Sequence, residues 1–142
     1  MLTPYLTFHG NCADALAFYQ EVFGGVAQTP IRYGSYVPQG LDPVPEHFAD
    51  WIMHAEINLC GTNVWLADEP AAPVVGDNVR LSASVPTAEH ARAIFDALAR
   101  NGQVRLPPTE TFYSTFHAAV VDPFGIHWNV VAEESPKGTE TS

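Results

Sequence analysis

The chain has 142 residues, 46% hydrophobic and 15% charged, with 16 Asp plus Glu against 6 Lys plus Arg and a net charge of −10. That length suits one domain or two tightly joined halves with a real core. The acidic balance excludes nucleic acid and anionic membrane surfaces as partners, because both need clustered cations. No apolar run reaches 18 residues and no secretory signal precedes the first strand. Two cysteines, Cys12 and Cys60, form neither a zinc pair nor a redox pair. A reducing cytoplasm is the expected compartment.

In chain order, residues 2–9 read as a strand with Leu6 and Phe8 on one face and Tyr5, Thr7 and His9 on the other. Asn11 or Cys12 opens a helix that Gly24 and Gly25 stop. Residues 26–33 read as a second strand. Residues 35–50 hold Pro38, Pro43 and Pro45 and read as a long loop, either a lid or partner arm or a passive excursion. Trp51 to Cys60 alternates, with His54, Glu56 and Asn58 on a polar face. Gly61-Thr62 turns the chain into a short strand, residues 63–67.

Asp68 to Asp77 reads as a linker. Residues 79–85 alternate as a strand, and Thr87 is placed to cap a helix over 88–100. Short extended pieces, 103–106 and 110–113, flank Pro107-Pro108. Strands over 115–121 and 126–132 enclose the turn Asp122-Pro123-Phe124-Gly125, and a polar tail, 133–142, follows.

An internal repeat underlies this order. His54 and His117 are 63 positions apart, as are Trp65 and Trp128, and a helix precedes each copy. The repeat predicts two similar βαβββ modules. The first is longer: Gly25 to His54 spans 29 positions, Gly102 to His117 only 15.

Pro4-Tyr5-Leu6-Thr7-Phe8, Gly10-Asn11-Cys12, Ala15-Leu16, Phe18-Tyr19 and Phe23-Gly24-Gly25 resemble the opening of the PhnB-like proteins. These belong to the vicinal oxygen chelate superfamily, with glyoxalase, extradiol dioxygenase and bleomycin-resistance proteins. His54-Ala55-Glu56-Ile57, Asp68-Glu69-Pro70, Thr111-Phe112-Tyr113 and the segment from Asp122 to Trp128 extend the match to about residues 2–132. The resemblance implies an α+β fold, two tandem βαβββ modules forming a curled mixed sheet around a cleft. Module one spans about 1–68, a linker about 69–77, module two about 78–132, all in one domain of 1–132. It also implies a homodimer. Such sequences are sometimes labelled ubiquinone-pathway methyltransferases, but no Gly-rich nucleotide loop occurs here.

The metal-dependent relatives hold a divalent ion with a Glu seven positions after the turn Asp, which here is Asn129, and with residues near Tyr5 and near Arg80 or Ser82. Phenol, guanidinium and amide are poor ligands for such ions. The resemblance therefore implies a small-molecule binder without the standard metal, its ligand set against Tyr5, His54, Glu56, Arg80, Phe112, Tyr113, Phe116, His117 and Asn129. The alternative is a metal-dependent lyase or dioxygenase with Zn, Ni, Mn or Fe on relocated ligands drawn from His9, His54, Glu56 and His127. A third reading makes the 35–50 loop a partner contact. Glu56 needs a partner on its strand, with Arg80 the expected one. Cys12 sits at a helix start, which would lower its thiol pKa, and a small residue suited to that position explains it equally well. The relatives carry Trp-Gly near Tyr113-Ser114 and Gly near His117, so the ligand departs with the pattern.

Overall fold

The computed structural model describes residues 1–35 and 46–136. The chain divides into two compact units, Met1–Val74 and Val75–Ser142. The first runs β1 (Tyr5–Phe8), α1 (Cys12–Phe23), β2 (Ile31–Arg32), β3 (Ile52–Leu59) and β4 (Thr62–Asp68). Its sheet order is β1-β4-β3-β2, with β1 parallel to β4 and the other pairs antiparallel. The second runs β5 (Leu81–Val85), α2 (Ala88–Ala99), β6 (Gln103–Thr109), β7 (His117–Val121) and β8 (His127–Ala132), in the order β5-β8-β7-β6. The expected βαβββ plan is therefore present twice, and the fold is α+β. Among the described residues no helix is long and apolar enough to cross a membrane. Most of the proline-bearing 35–50 loop, residues 36–45, and the tail from residue 137 lie outside the described residues.

Each sheet has one buried face. In the first unit Phe8, Ala55, Ile57, Leu59, Val64 and Leu66 pack with Cys12, Ala15, Leu16 and Tyr19 of α1. Because side chains alternate along a strand, Tyr5, Thr7, His54, Glu56 and Trp65 fall on the opposite face. In the second unit Ala83, Val85, Phe116, Ala118, Val120, Trp128 and Val130 pack with Ala91, Ile94, Phe95 and Leu98 of α2. Thr87 caps α2 as expected, its Oγ accepting from the His90 N–H at 3.1 Å. Asn11 makes no side-chain cap for α1. Instead the buried carboxylate of Asp68 accepts from the Gly10 and Cys12 N–H groups with one oxygen and from Ile52 N–H with the other. Asp68 thus belongs to β4 rather than to the linker.

The repeat holds at the level of topology and for the histidine pair, His54 and His117 each facing away from the helix of its own unit, but not for the tryptophan pair. Trp65 stands opposite Glu56, nine positions back, whereas Trp128 stands opposite Val120, eight positions back. A one-residue difference in register moves a strand's whole side-chain set to the other face. Trp65 accordingly lies on the open face, while Trp128 lies on the helix side, 4% exposed, its indole N–H donating to Asp122. The hairpin turns explain the difference. Cys60 and Gly61 both have positive φ, 52° and 84°, which is the two-residue turn that fits strand twist. Its counterpart is the longer turn built on Asp122, whose Oδ1 accepts from Phe124 and Ile126 N–H groups.

Two strand expectations need correction. The extended segment 26–33 shrinks to Ile31–Arg32 plus an isolated bridge between Ala27 and Ile57, because Pro30 has no N–H to give a ladder. Pro107 and Pro108 do not divide the next extended segment. They lie inside the edge strand β6 where its register shifts between Leu106 and Thr109, so missing donors are tolerated, while 110–113 forms no strand.

Equivalence between the units is clearest just after each helix. A Cβ on Gly25 would lie 2.3 Å from the Asn58 carbonyl oxygen, and one on Gly102 2.4 Å from that of Val121. In both modules the chain returns from the helix hard against the backbone of that module's third strand. Gly25→Ala and Gly102→Ala are each expected to destabilise by about 2–4 kcal/mol in urea unfolding. Gly61→Ala, which meets open space and only strains φ, should cost about 1–2 kcal/mol.

Candidate functional site

The tight turn at Cys60-Gly61 fixes the register that builds the open face of the first unit. Tyr5, Trp65 and Glu56 lie side by side across β1, β4 and β3. One Glu56 oxygen accepts from Trp65 Nε1 at 2.9 Å and from Asn63 Nδ2 at 2.8 Å. The other accepts from His54 Nε2 at 3.2 Å. The Trp65 ring meets His54 and Tyr5 edge to face, with centroids 5.1 and 5.8 Å away. His54 and Glu56 are each about a quarter exposed, at 29% and 26% of the side chain. The result is a carboxylate held between aromatic rings and open on one side.

Of the expected first-unit residues, Tyr5, His54 and Glu56 are brought together. Glu56 is satisfied by donors of its own hairpin, and Arg80 lies exposed ahead of β5 in the second unit. Trp65 and Asn63 are the residues the sequence reading missed. Their signal was the two-residue turn, which places Trp65 directly across from Glu56. Burial raises the Tyr5 hydroxyl above its ordinary pKa, with Glu69 and then Cys12 adding to the effect.

In the second unit His117, Asn129 and Ser82 share the face away from α2, Asn129 standing opposite both Ala119 and Ser82. The Tyr113 hydroxyl shares a 2.6 Å hydrogen bond with His117 Nδ1. Phe112 projects beside Tyr113, 81% exposed. Phe116 is a correction. It is buried on the helix side, its ring edge against Phe95 and beneath the Arg92 guanidinium, because its parity follows Ala118 and Val120. Cys12 is another. Burial, reinforced by the Asp68 carboxylate, pushes its thiol up to about 12, the reverse of an activated nucleophile.

A divalent ion of the family type needs three or four nitrogen and oxygen donors converging on one point. Among the described residues no three His, Cys, Asp or Glu side chains do so. Of the alternative ligand set only His54 and Glu56 meet. His9 donates its Nδ1 hydrogen to the Glu69 carbonyl, and His127 lies on β8 of the second unit. Both Glu56 oxygens already accept N–H hydrogens, so the residues present do not fit the ion.

The donor set acts on Glu56 itself. Asn63 foremost and then His54 hold its carboxyl below the ordinary carboxylate pKa against the opposing effect of desolvation, with Trp65 contributing less. A depressed folded pKa means stabilisation that is complete above the ordinary carboxylate value and lost as pH falls through Glu56's own lower value. In an NMR titration Glu56 should ionise below the exposed carboxylates, and Asn63→Ala should move it back toward them, more than Trp65→Phe does.

A model of the Glyoxalase/Bleomycin resistance protein/Dioxygenase superfamily matches residues 2–130. Protein YjdN of Escherichia coli K12 is 32% identical, covering 94% of this chain and 97% of that protein. The crystal structure of PA1353 from Pseudomonas aeruginosa superposes with a TM-score of 0.80 at 30% identity, covering 94% of this chain and 97% of that one. A Bacillus cereus PhnB protein, titled a putative 3-demethylubiquinone-9 3-methyltransferase, shares the fold with a TM-score of 0.74 at 21% identity, covering 92% and 98%. With topology, length and motifs in agreement, the chain belongs to the glyoxalase/bleomycin resistance protein/dioxygenase superfamily.

Proposed function

We propose that this chain is a small-molecule binding protein of the PhnB-like branch, working without the standard divalent ion of its superfamily. The observation that carries this reading is the state of Glu56. Its oxygens are taken up by three N–H donors of its own hairpin, so it serves as a fixed negative charge between aromatic rings. Such a surface suits a planar or cationic organic ligand, held by ring contact and by charge. The chain's net charge of −10 favours the approach of a cation. Tyr5, His54, Glu56 and Trp65 provide contacts in the first unit. Arg80, Phe112, Tyr113, His117 and Asn129 are the proposed contacts in the second. The protein acts in the cytoplasm as a homodimer under this reading.

The second reading is a metal-dependent lyase or dioxygenase, and the contact between His54 and Glu56 is what favours it. The two separate cleanly. The planar cationic dye proflavine is expected to raise the melting temperature by mass action. Trp65→Ala or Glu56→Gln should weaken its binding by about tenfold or more, or about 1.4 kcal/mol. A stoichiometric transition metal in protein purified without chelator, lost in His54→Ala, would establish the second reading instead. Native mass spectrometry at micromolar concentration should return twice the 15.5 kDa chain mass, and a clean monomer would remove the dimer from the proposal.

A further inference from the structure

The second unit carries a recess that shares no residue with the proposed ligand contacts. Gln103, Val121 and His127 lie side by side across β6, β7 and β8 and form its floor. Val75 and Asp77 line it from the segment ahead of β5, and Arg105 completes it. The volume is about 330 Å³, at the small end of the range for ligand sites.

Arg105 reaches this position through an irregularity. Val104 pairs with Val120 and Leu106 with Ala119, so two successive partners on β7 face residues two apart on β6 and Arg105 is the extra one. A bulge of this kind re-aims a side chain, and bulges are enriched beside functional sites. Among the described residues, the side chains of Asp77, Gln103, Arg105 and His127 have no hydrogen-bond or ion-pair partner. Asp77 and Arg105 line one recess with opposite charges and yet form no ion pair with each other.

We propose that this recess binds a small zwitterion, in chemistry an aliphatic amino acid, with its carboxylate on Arg105 and its ammonium on Asp77. An anion alone would meet the Asp77 carboxylate unneutralised, and a cation alone would meet the Arg105 guanidinium. A ligand carrying both charges satisfies both groups at once. Val75 and Val121 give its hydrocarbon portion an apolar wall, and Gln103 and His127 add hydrogen-bonding groups.

L-leucine is the probe, with 4-methylpentanoate and isopentylamine as analogues that each lack one charge. In ¹H–¹⁵N NMR titrations of the full chain, leucine should shift the amides of residues 75–77 and 103–105 saturably, with a Kd on the order of 1 mM. Both analogues should bind about tenfold more weakly. Arg105→Gln should weaken leucine and 4-methylpentanoate, and Asp77→Asn leucine and isopentylamine. Both positions are on the surface, so folding is retained. Glu56→Gln should leave leucine binding unchanged, which separates this recess from the aromatic face of the first unit. Absence of saturable shifts with leucine overturns the proposal. So does 4-methylpentanoate binding as tightly as leucine, or a leucine affinity that Asp77→Asn does not alter.

Discussion

A residue in a β-strand has only two directions open to it, and the pairing register selects one. In the first unit a two-residue turn with positive φ at both positions sets that register, and Trp65 and Glu56 meet across the strands. In the second unit a longer turn, held by the Asp122 carboxylate, shifts the register by one, and the tryptophan at the same spacing joins the hydrophobic core. One residue of difference decides whether an indole binds outward or packs inward. The polar face of the first sheet, with its hydrogen-bonded carboxylate and edge-on rings, depends on that turn.

Buried carboxylates do structural work in both units. Asp68 gathers three backbone N–H groups from the start of α1 and of β3, which have no other side-chain partner there. Asp122 gathers two N–H groups and the Trp128 indole. Charge-assisted bonds to backbone donors offset the cost of removing a carboxylate from water, and each aspartate is fully supplied. Glu56 shares this logic but remains partly in solvent. It is therefore the carboxylate of the three that a ligand can reach.

Much of the fold was legible because the signals were periodic. The alternation from Trp51 to Cys60, the helical spacing from Ala15 to Phe23 and the Thr87 cap all correspond to real elements. Prolines misled in both directions. Pro30 shortened a strand that its neighbours favoured, and Pro107-Pro108 sat within an edge strand that tolerated them. The site was legible in part. His54 and Glu56 were readable from parity within one strand. Trp65 and Asn63 were not, since their direction depends on a turn whose φ values composition does not state. Phe116 was misplaced for the same reason, its parity being set by β7 and not by the neighbouring Phe112 and Tyr113. The 63-residue spacing revealed a true duplication: His54 and His117 still correspond, as do Gly25 and Gly102, whereas Trp65 and Trp128 no longer do.

The two prolines in β6 bear on how copies of this chain can associate. An open sheet margin normally offers a ladder of donors and acceptors onto which a foreign strand can zip. Pro107 and Pro108 remove two amide hydrogens from β6, and the register is irregular both at Arg105 and between Leu106 and Thr109. Both features work against continuous sheet extension from this margin of the second unit. Self-association that stays finite must then come from side chains meeting side chains, not from backbone joining backbone along β6.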